Sequence, residues 1–155
     1  ISPWIVTPEA LEPFKRTPPE RDFQLLPHFE DDKAFVFDID LRATLIEHGG
    51  QKTDIVKTNS KELYYSPVQQ LIHHASAGCG ISTGDLIGSG TISGIEKGSF
   101  GCMLELSWGG REKIALSSGE NRDFLHDNDT VVLNGTASAK KFKIGFSSCS
   151  GRIIK

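Results

Sequence analysis

The 155 residues include 17 basic and 20 acidic side chains, which give a net charge of −3, and 37% of the residues are hydrophobic. These values are typical of an ordinary globular protein, and we expect one domain, residues 1–155, with its own core. The slightly acidic balance gives no reason to expect a nucleic-acid partner. No apolar run approaches the roughly 20 residues of a membrane span, so no membrane partner is expected.

Cysteine usage indicates the compartment. Cys79, Cys102 and Cys149 are widely spaced, and no two of them form a Cys-x-x-Cys pair. An odd number of cysteines at such spacings argues against a zinc site and against a disulfide framework. Reduced thiols in a cytoplasmic protein are the simplest interpretation.

The start of the chain predicts a short strand and a short helix. Ile1–Val6 is an extended run, and because a strand rarely starts a protein without a lead-in, we expect the chain to be a piece of a longer protein. Thr7 before Pro8 is a helix-start signal, and Pro13 ends that helix within about a turn. Residues 15–33 contain further prolines and many charges without a sustained period, which predicts a connector.

The clearest strand follows. Apolar and polar residues alternate from Phe35 to Ile46, which is typical of a half-buried strand in an antiparallel sheet. A turn at Gly49-Gly50 then allows Thr53–Thr58 to return as its hairpin partner. Asp38 and Asp40 share one face of the strand, where they form either a solvated surface or a site for a hard cation.

One main helix is predicted to begin at Ser66-Pro67 and to end near Gly78. His73 and His74 are adjacent, so they diverge on a helix and do not hold one metal as an i, i+4 pair would. Structural or helix-end roles are therefore favoured for both histidines. Four apolar residues at i, i+3, i+4 and i+7 predict a buried stripe. These residues are Val68, Leu71, Ile72 and Ala75.

The centre of the chain combines glycine with a conspicuous carboxylate. Two strand-like runs, Asp85–Ile92 and Cys102–Trp108, flank a glycine-rich loop. Gly88 and Gly90 lie inside the first run, where glycine permits the close approach of a ligand or another backbone. Glu105 is the one charged residue of the second run, and burying an unpaired charge is unfavourable. Glu105 therefore lies either on a solvated face or in a functional cavity.

The two runs suggest a partial catalytic site. If they pair, the hydroxyl of Thr91 and the carboxylate of Glu105 open into one cavity, where the carboxylate orients a histidine that takes a proton from water. The alternative is that Thr91 bonds to backbone within a strand and that Glu105 is half-exposed. The sequence contains no phosphate loop and no metal-spaced cluster.

The last third of the chain predicts more strands. Gly109-Gly110 is a candidate hairpin turn into Lys113–Leu116, and residues 127–129 form a turn before Thr130–Leu133. Phe142–Phe146 is the last clear strand. Many strands and one main helix predict a mostly β fold with minor α content.

Several motifs carry a resemblance to a known family. Gly84-Asp85-Leu86-Ile87, followed by Gly90-Thr91-Ile92-Ser93-Gly94, resembles the G-D-x-I-x-x-G-T signature of the fumarylacetoacetate hydrolase family. Met103–Trp108 is similar to the members that act on fumarylacetoacetate rather than to the shorter members. Other stretches agree in order, namely Ile1–Trp4, Phe37–Leu41, Gln69–Leu71, His73-His74 and Ile144–Phe146.

The resemblance implies a fold and a reaction. The fold would be the mixed β-sandwich roll of the family's C-terminal catalytic domain, with the N-terminal part absent. The complete enzyme would be a cytoplasmic homodimer that hydrolyses 4-fumarylacetoacetate to fumarate and acetoacetate, a step of tyrosine and phenylalanine catabolism. Two alternatives remain: an acylpyruvate hydrolase or oxaloacetate decarboxylase of the same family, and a non-catalytic assembly or binding module.

The resemblance also implies roles for two residues. Glu105 matches the catalytic glutamate that partners the base histidine, and Thr91 matches the threonine that contacts the small diketo acid substrate. In the family, a calcium or magnesium ion chelates the diketone oxygens and spreads the charge of the leaving carbanion. Both residues lie in the stretch that carries the signature.

The rest of the family's site has no match in this chain. Its base histidine and acidic metal ligands match positions before Ile1, so we expect no metal ligand here and an inactive piece. Four residues of suitable chemistry match other positions of the family and are not substitutes for these groups. They are His73, His74, Asp38 and Asp40.

Overall fold

The structure, a computed structural model, describes residues 1–155. Strands predominate and α2 is the one long helix, which confirms the predicted mostly β fold. In chain order the helices and strands are α1 (Pro8–Leu11), β1 (Lys15–Arg16), β2 (Val36–Phe37), β3 (Asp40–Ile46), β4 (Lys52–Asn59), α2 (Pro67–Ser76), α3 (Met103–Leu106), β5 (Ile114–Ala115), β6 (Asn121–Arg122), β7 (Thr130–Ser138) and β8 (Lys143–Arg152). Short 3-10 turns lie at Glu12–Phe14, Pro27–Phe29, Ser60–Glu62 and Lys97–Ser99.

An antiparallel sheet in the order β4-β3-β7-β8 forms the centre of the molecule. Strand β3 pairs on both sides, and its Leu41 lies opposite Thr58 of β4 and Gly135 of β7. Gly50 in the turn between β3 and β4 has φ +88°, a conformation that glycine adopts without steric penalty. The predicted return of Thr53–Thr58 beside the preceding strand is confirmed.

The single strand predicted over Phe35–Ile46 is divided in two. The N–H of Asp38 donates to the carbonyl of Phe14 at 2.8 Å, and the Asp38 carboxylate pairs with Arg16 at 3.2 Å. Strand β2 consequently pairs with β1 and not with the main sheet. The alternating pattern does not reveal this division, because β2 and β3 are both half-buried and continue the same alternation.

The N-terminal segment packs on the main sheet. Helix α1 forms where Thr7-Pro8 predicts it, but the strand predicted over Ile1–Val6 is wrong. Pro3 lacks an N–H for a strand ladder, and the segment is held instead by Trp4, whose indole N–H donates to the carbonyl of Gly145 at 3.2 Å. The segment lies across the sheet without joining it.

The core lies between this segment and strands β7 and β8. Leu11, Phe14 and Ala137 are its buried members, and the ring of Phe14 meets that of Phe142 edge-on at 5.6 Å. Burying one such aromatic side chain contributes about 1.5–3 kcal/mol. Half-buried apolar residues surround the cluster: Val6, Phe37, Ile39, Ala139, Ile144 and Phe146.

Helix α2 begins as predicted but buries a different face. Ser66 caps it in a reciprocal capping box with Gln69. Gln69 is only 1% exposed and donates to the carbonyl of Phe29 at 2.7 Å, whereas Val68 is 43% exposed. The predicted apolar stripe is therefore wrong, because the capping box and the amide of Gln69 fix the helix with its polar side against the Pro27–Phe29 turn.

A buried ionic network joins the sheet to the small β5–β6 hairpin. The guanidinium of Arg122 lies 2.7 Å from Glu120, 3.5 Å from Asp129 and 3.8 Å from Glu47. Its hydrogen bond to Glu120, followed by the charge of Asp129, raises the pKa of Arg122 above its usual value. Ser118 donates to Glu47 at 2.9 Å and fastens the hairpin's turn to the same network.

The later strands are partly as predicted. Thr130–Leu133 and Phe142–Phe146 lie in β7 and β8, apart from Phe142, which precedes β8. The hairpin expected between Cys102–Trp108 and Lys113–Leu116 is wrong. Strand β5 pairs with β6 instead, with the turn between them closed by a hydrogen bond from Gly119 N–H to the Leu116 carbonyl at 3.0 Å.

The two strands predicted around the glycine-rich loop are also wrong. Residues 85–92 lie in no helix or strand, and residues 103–106 form α3. Gly84 and Gly90 have φ values of +100° and +75°, which turn the chain away from the extended course of a strand. In the second stretch, Leu106 N–H donates to the Cys102 carbonyl at 3.1 Å, and this local bond replaces a strand ladder.

The exposed area of the chain is large. It amounts to 10,503 Å², whereas a compact monomer of this size exposes about 7,700 Å².

No helix combines the length and the apolar character that crossing a lipid bilayer requires.

Candidate active site

The glycine-rich loop brings its two ends into contact. Gly94 N–H donates to the Ser99 carbonyl at 3.0 Å, which closes the loop. A Cβ atom added to Gly101 would lie 2.3 Å from the Ile92 carbonyl oxygen and 2.7 Å from Cγ2 of Thr91. Only glycine allows this approach, so Gly101 sets how closely the Thr91–Ile92 backbone passes the start of α3.

The loop closure brings Glu105 into contact with the signature stretch. Its Oε2 accepts a hydrogen bond from the Ser93 hydroxyl at 2.6 Å and lies 3.5 Å from the thiol sulfur of Cys102. The same Ser93 oxygen accepts the N–H of Gly101 at 2.9 Å. The structure thus links Glu105 to the segment that carries Thr91 by loop closure, without the paired strands that the sequence predicted.

The two predicted site residues are linked indirectly. Thr91 and Glu105 share no hydrogen bond, and Ser93, two residues after Thr91, connects their segments. Both side chains belong to exposed residues. The Thr91 hydroxyl makes no hydrogen bond within the chain, so the alternative in which it bonds to backbone in a strand is wrong. The shared cavity expected for Thr91 and Glu105 is also wrong, because Glu105 is solvent-exposed and lines a cup that does not include Thr91.

An apolar cup lies beside the Glu105 carboxylate. It measures about 300 Å³ and is lined by Phe100, Leu104, Glu105, Trp108 and Gly109. Leu104 and Trp108 are 60% and 62% exposed, so the cup is open to solvent.

The two histidines lie in a separate pocket at the end of α2. The pocket measures about 330 Å³ and lies between α2, the ring of Phe29 and the Gly88-Ser89 backbone. His73 stacks obliquely on Phe29 with 6.3 Å between ring centres, and its ring lies 5.8 Å from that of His74. Neither histidine pairs with a carboxylate, and both lie in the last helical turn, as their helix-end interpretation predicted.

The residues present do not fit a divalent metal ion. No group of three or more His, Cys, Asp or Glu side chains is arranged to hold one. Asn59 donates to both Asp38 and Asp40, at 2.8 and 3.0 Å, and Arg16 also pairs with Asp38. The two carboxylates are therefore occupied by hydrogen bonds and, for Asp38, by an ion pair at the protein surface.

A polar groove of about 1010 Å³ lies between the main sheet and the glycine-rich loop. Its charges are mixed, and Arg42 and Lys57 are both paired with Asp54. A hydrogen bond from Thr44, opposed by partial burial and assisted by Arg42, holds the pKa of Asp54 below its usual value.

Sequence reasoning missed two participants in the site, Ser93 and Gly101. Ser93 lies in the signature stretch, but a serine between two apolar or glycine residues has no pattern of its own. Gly101 lies at the end of a loop rich in glycine, and nothing distinguishes it in the sequence from Gly98, whose Cβ position is open.

Comparison with known proteins relates the chain to one family. The family model described as "Fumarylacetoacetate (FAA) hydrolase C-terminal" matches residues 1–152. The chain is 44% identical to the fumarylacetoacetase of Bos taurus, 43% to that of Homo sapiens and 41% to that of Arabidopsis thaliana. Each match covers 99% of this chain but 37% of the relative. The chain thus spans well under half the length of these curated relatives.

Proposed function

Because the chain belongs to the fumarylacetoacetate hydrolase family, we propose that it is the C-terminal part of a longer enzyme that hydrolyses 4-fumarylacetoacetate. The products are fumarate and acetoacetate, as in tyrosine and phenylalanine breakdown. The observation that supports this most strongly is the anchored carboxylate of Glu105, held by Ser93 at 2.6 Å beside an apolar cup. The relatives named fumarylacetoacetase and the Met103–Trp108 stretch favour this substrate over smaller keto acids.

Glu105 acts as the partner of a base histidine. Ser93 and Cys102 both contact its Oε2, and no group of the chain donates to Oε1. The free oxygen can accept the ring N–H of a histidine, fix the imidazole's orientation and stabilise the imidazolium that forms when the base takes a proton from water. The base itself belongs to the longer protein, because His73 and His74 lie in a different pocket.

The reaction consumes one water. The activated water adds to the carbonyl carbon at the fumaryl end, and the carbon–carbon bond to the acetoacetate unit then breaks. The electron pair leaves as the enolate of acetoacetate, which recovers a proton from the imidazolium. Thr91 binds substrate through its hydroxyl, which has no partner within the chain and is exposed at the same loop closure.

A calcium or magnesium ion would supply Lewis-acid polarisation of the diketone oxygens. The acidic side chains of this chain offer no donor set for it. We therefore assign its ligands to the remainder of the longer protein, together with the base.

The exposed surface of the chain also suggests how the protein assembles. The exposed area exceeds that of a compact monomer by roughly 2,800 Å², more than the surface that a standard protein interface buries. Leu86, Ile95 and Trp108 are among the large apolar side chains left exposed. We propose that the remainder of the enzyme and a second subunit of a homodimer cover these surfaces. Three free cysteines support a cytoplasmic location.

The test is a substrate comparison with the protein made from the complete coding sequence. It is incubated separately with fumarylacetoacetate, an acylpyruvate and oxaloacetate, while diketone absorbance and carbon dioxide release are followed. We expect the complete protein to remove the diketone absorbance of fumarylacetoacetate. The 155-residue chain alone should leave that absorbance unchanged. Turnover of only the smaller acids would replace the proposal with the alternative reactions of the family, and no turnover at all would favour a binding module.

A further inference from the structure

We propose that Ser93 is a positioning residue that fixes the carboxylate of Glu105 for its histidine partner. The proposal rests on the proposed function and adds a role that the sequence motifs do not give. It is carried by two hydrogen bonds that meet at one hydroxyl oxygen, between Ser93, Gly101 and Glu105.

The hydrogen bond from Gly101 to Ser93 orients the hydrogen bond from Ser93 to Glu105. The Ser93 oxygen accepts the backbone N–H of Gly101 at 2.9 Å, so one of its lone pairs is occupied. A serine hydroxyl has a single proton to donate, and here it goes to Oε2 of Glu105 at 2.6 Å. Such a short bond to a carboxylate is charge-assisted and stronger than a bond between neutral groups.

The frame around Ser93 is rigid. Gly101 lies so close to the Ile92 carbonyl that no side chain fits, and Gly94 closes the loop through the Ser99 carbonyl. Ser93 lies between these two contacts. The position of its hydroxyl is therefore fixed, and the hydroxyl can hold the side chain of Glu105 on α3.

Glu105 needs such an anchor. It lies on the exposed side of a four-residue helix and no cation of the chain pairs with it. The only other hydrogen-bond partner of its carboxylate is the Cys102 thiol at 3.5 Å, and a thiol is a weak donor. Without Ser93, the carboxylate would sample several rotamers, and small displacements of catalytic groups cost about 100-fold in rate.

The experiment compares four forms of the complete protein: wild type, Ser93→Ala, Glu105→Gln and the double variant. We expect Ser93→Ala to lower kcat about 10- to 100-fold, with KM changed by less than about threefold. In the Glu105→Gln background the same change should lower kcat by less than about twofold, because no carboxylate is left to position. Equal losses in both backgrounds would show that Ser93 only supports the loop, and would overturn the proposal.

Two further variants guard against misfolding. Ser89→Ala removes an exposed hydroxyl of the run before the loop that bonds only to the adjacent Gly90 carbonyl, and it should retain kcat. Ser93→Cys keeps the side chain nearly unchanged in size but offers a weak donor, so it should fold and still lose kcat. Wild-type kcat in Ser93→Cys would overturn the proposal even if Ser93→Ala fails to fold.

A crystallographic readout separates this proposal from the proposed function. If the wild-type protein cleaves no diketo acid, the proposed function fails, and crystal structures of wild type and Ser93→Cys then decide the role of Ser93. A Glu105 carboxylate displaced by more than about 1 Å in the variant supports positioning. A carboxylate in the same place in both structures overturns it.

Discussion

The main sheet and the segment from residue 81 to residue 110 are held together in different ways. In the sheet, backbone ladders join β4, β3, β7 and β8 along most of their lengths. The segment has no strand, and its loop is closed by single hydrogen bonds from Ser93 and Gly94 and by one steric fit at Gly101. A ladder distributes stability over many bonds, whereas the site depends on a few individual contacts.

The largest expected effect on stability comes from breaking the network at the end of the sheet. Arg122→Met keeps the side chain's apolar stem but leaves Glu47 and Asp129 buried without their cation. Removing one partner of a buried ion pair destabilises a protein by about 3–5 kcal/mol. The free energy of unfolding, measured by urea titration, should fall accordingly.

The exposed pair Lys113–Asp123 provides the matched control. Its side chains lie 2.8 Å apart and are largely solvated. Lys113→Met should leave the free energy of unfolding close to that of wild type, because an exposed ion pair is screened by solvent. Equal losses in Lys113→Met and Arg122→Met would show that burial does not govern the Arg122 network.

Gly101→Ala should disturb the site more than the sheet. The added methyl group would meet the Ile92 carbonyl at 2.3 Å, so the loop ends must move apart. Overpacking of this kind costs about 1–3 kcal/mol in stability. In the complete enzyme we expect kcat to fall by more than this loss of stability alone would explain, since Ser93 moves with the loop.

Gly98→Ala is the control for this variant. It lies in the same loop, has open space at its Cβ position and has no positive φ. Its unfolding free energy and kcat should both remain close to wild type. A Gly101→Ala variant that behaves like Gly98→Ala would mean that the loop ends are not in the close contact described here.

The smallest effect concerns a single bond within the sheet. The hydrogen bond from Thr44 is the main reason that the pKa of Asp54 is lowered. A carboxyl whose folded-state pKa is lowered contributes stability above its usual pKa and loses it as the pH falls through the lowered value. Thr44→Val should therefore be less stable than wild type by below about 1 kcal/mol at pH 7.

The difference in unfolding free energy between wild type and Thr44→Val should shrink as the pH is lowered below 4. Urea titrations at several pH values measure it. Thr136→Val serves as the control, because Thr136 lies on β7 and its hydroxyl makes no hydrogen bond within the chain. A Thr44→Val deficit that does not vary with pH would remove Asp54 from the explanation.

The contrast between the two regions also explains what the sequence could predict. Alternation of apolar and polar residues reports a half-buried ladder, so the strands of the main sheet and the turn at Gly50 were predictable. The same pattern placed Glu105 on a strand, and this was wrong, because the loop closure that orders residues 91–106 rests on one glycine and one serine. Neither residue belongs to a periodic pattern.

The candidate residues Glu105 and Thr91 were chosen for their chemistry and not for their periodicity. Glu105 was selected as an unexpected carboxylate and Thr91 as a hydroxyl at the end of a glycine-containing run, the resemblance supported both choices, and their roles in the reaction stay predictions. Helix α2 shows a signal that was present but not used. Ser66 and Gln69 form the S-x-x-Q pattern of a capping box, which indicates that the third helical residue turns back toward the cap. That pattern, given more weight than the apolar stripe, would have placed Gln69 on the inner side.

The most direct test of the account is the turnover of Glu105→Gln in the complete protein with fumarylacetoacetate. The amide keeps the size of the side chain but cannot stabilise an imidazolium, so kcat should fall about 100- to 10,000-fold while the unfolding transition is unchanged. Glu112→Gln, which removes a nearby glutamate paired with Lys97, should retain activity. Near-wild-type turnover in a correctly folded Glu105→Gln variant would contradict the central claim.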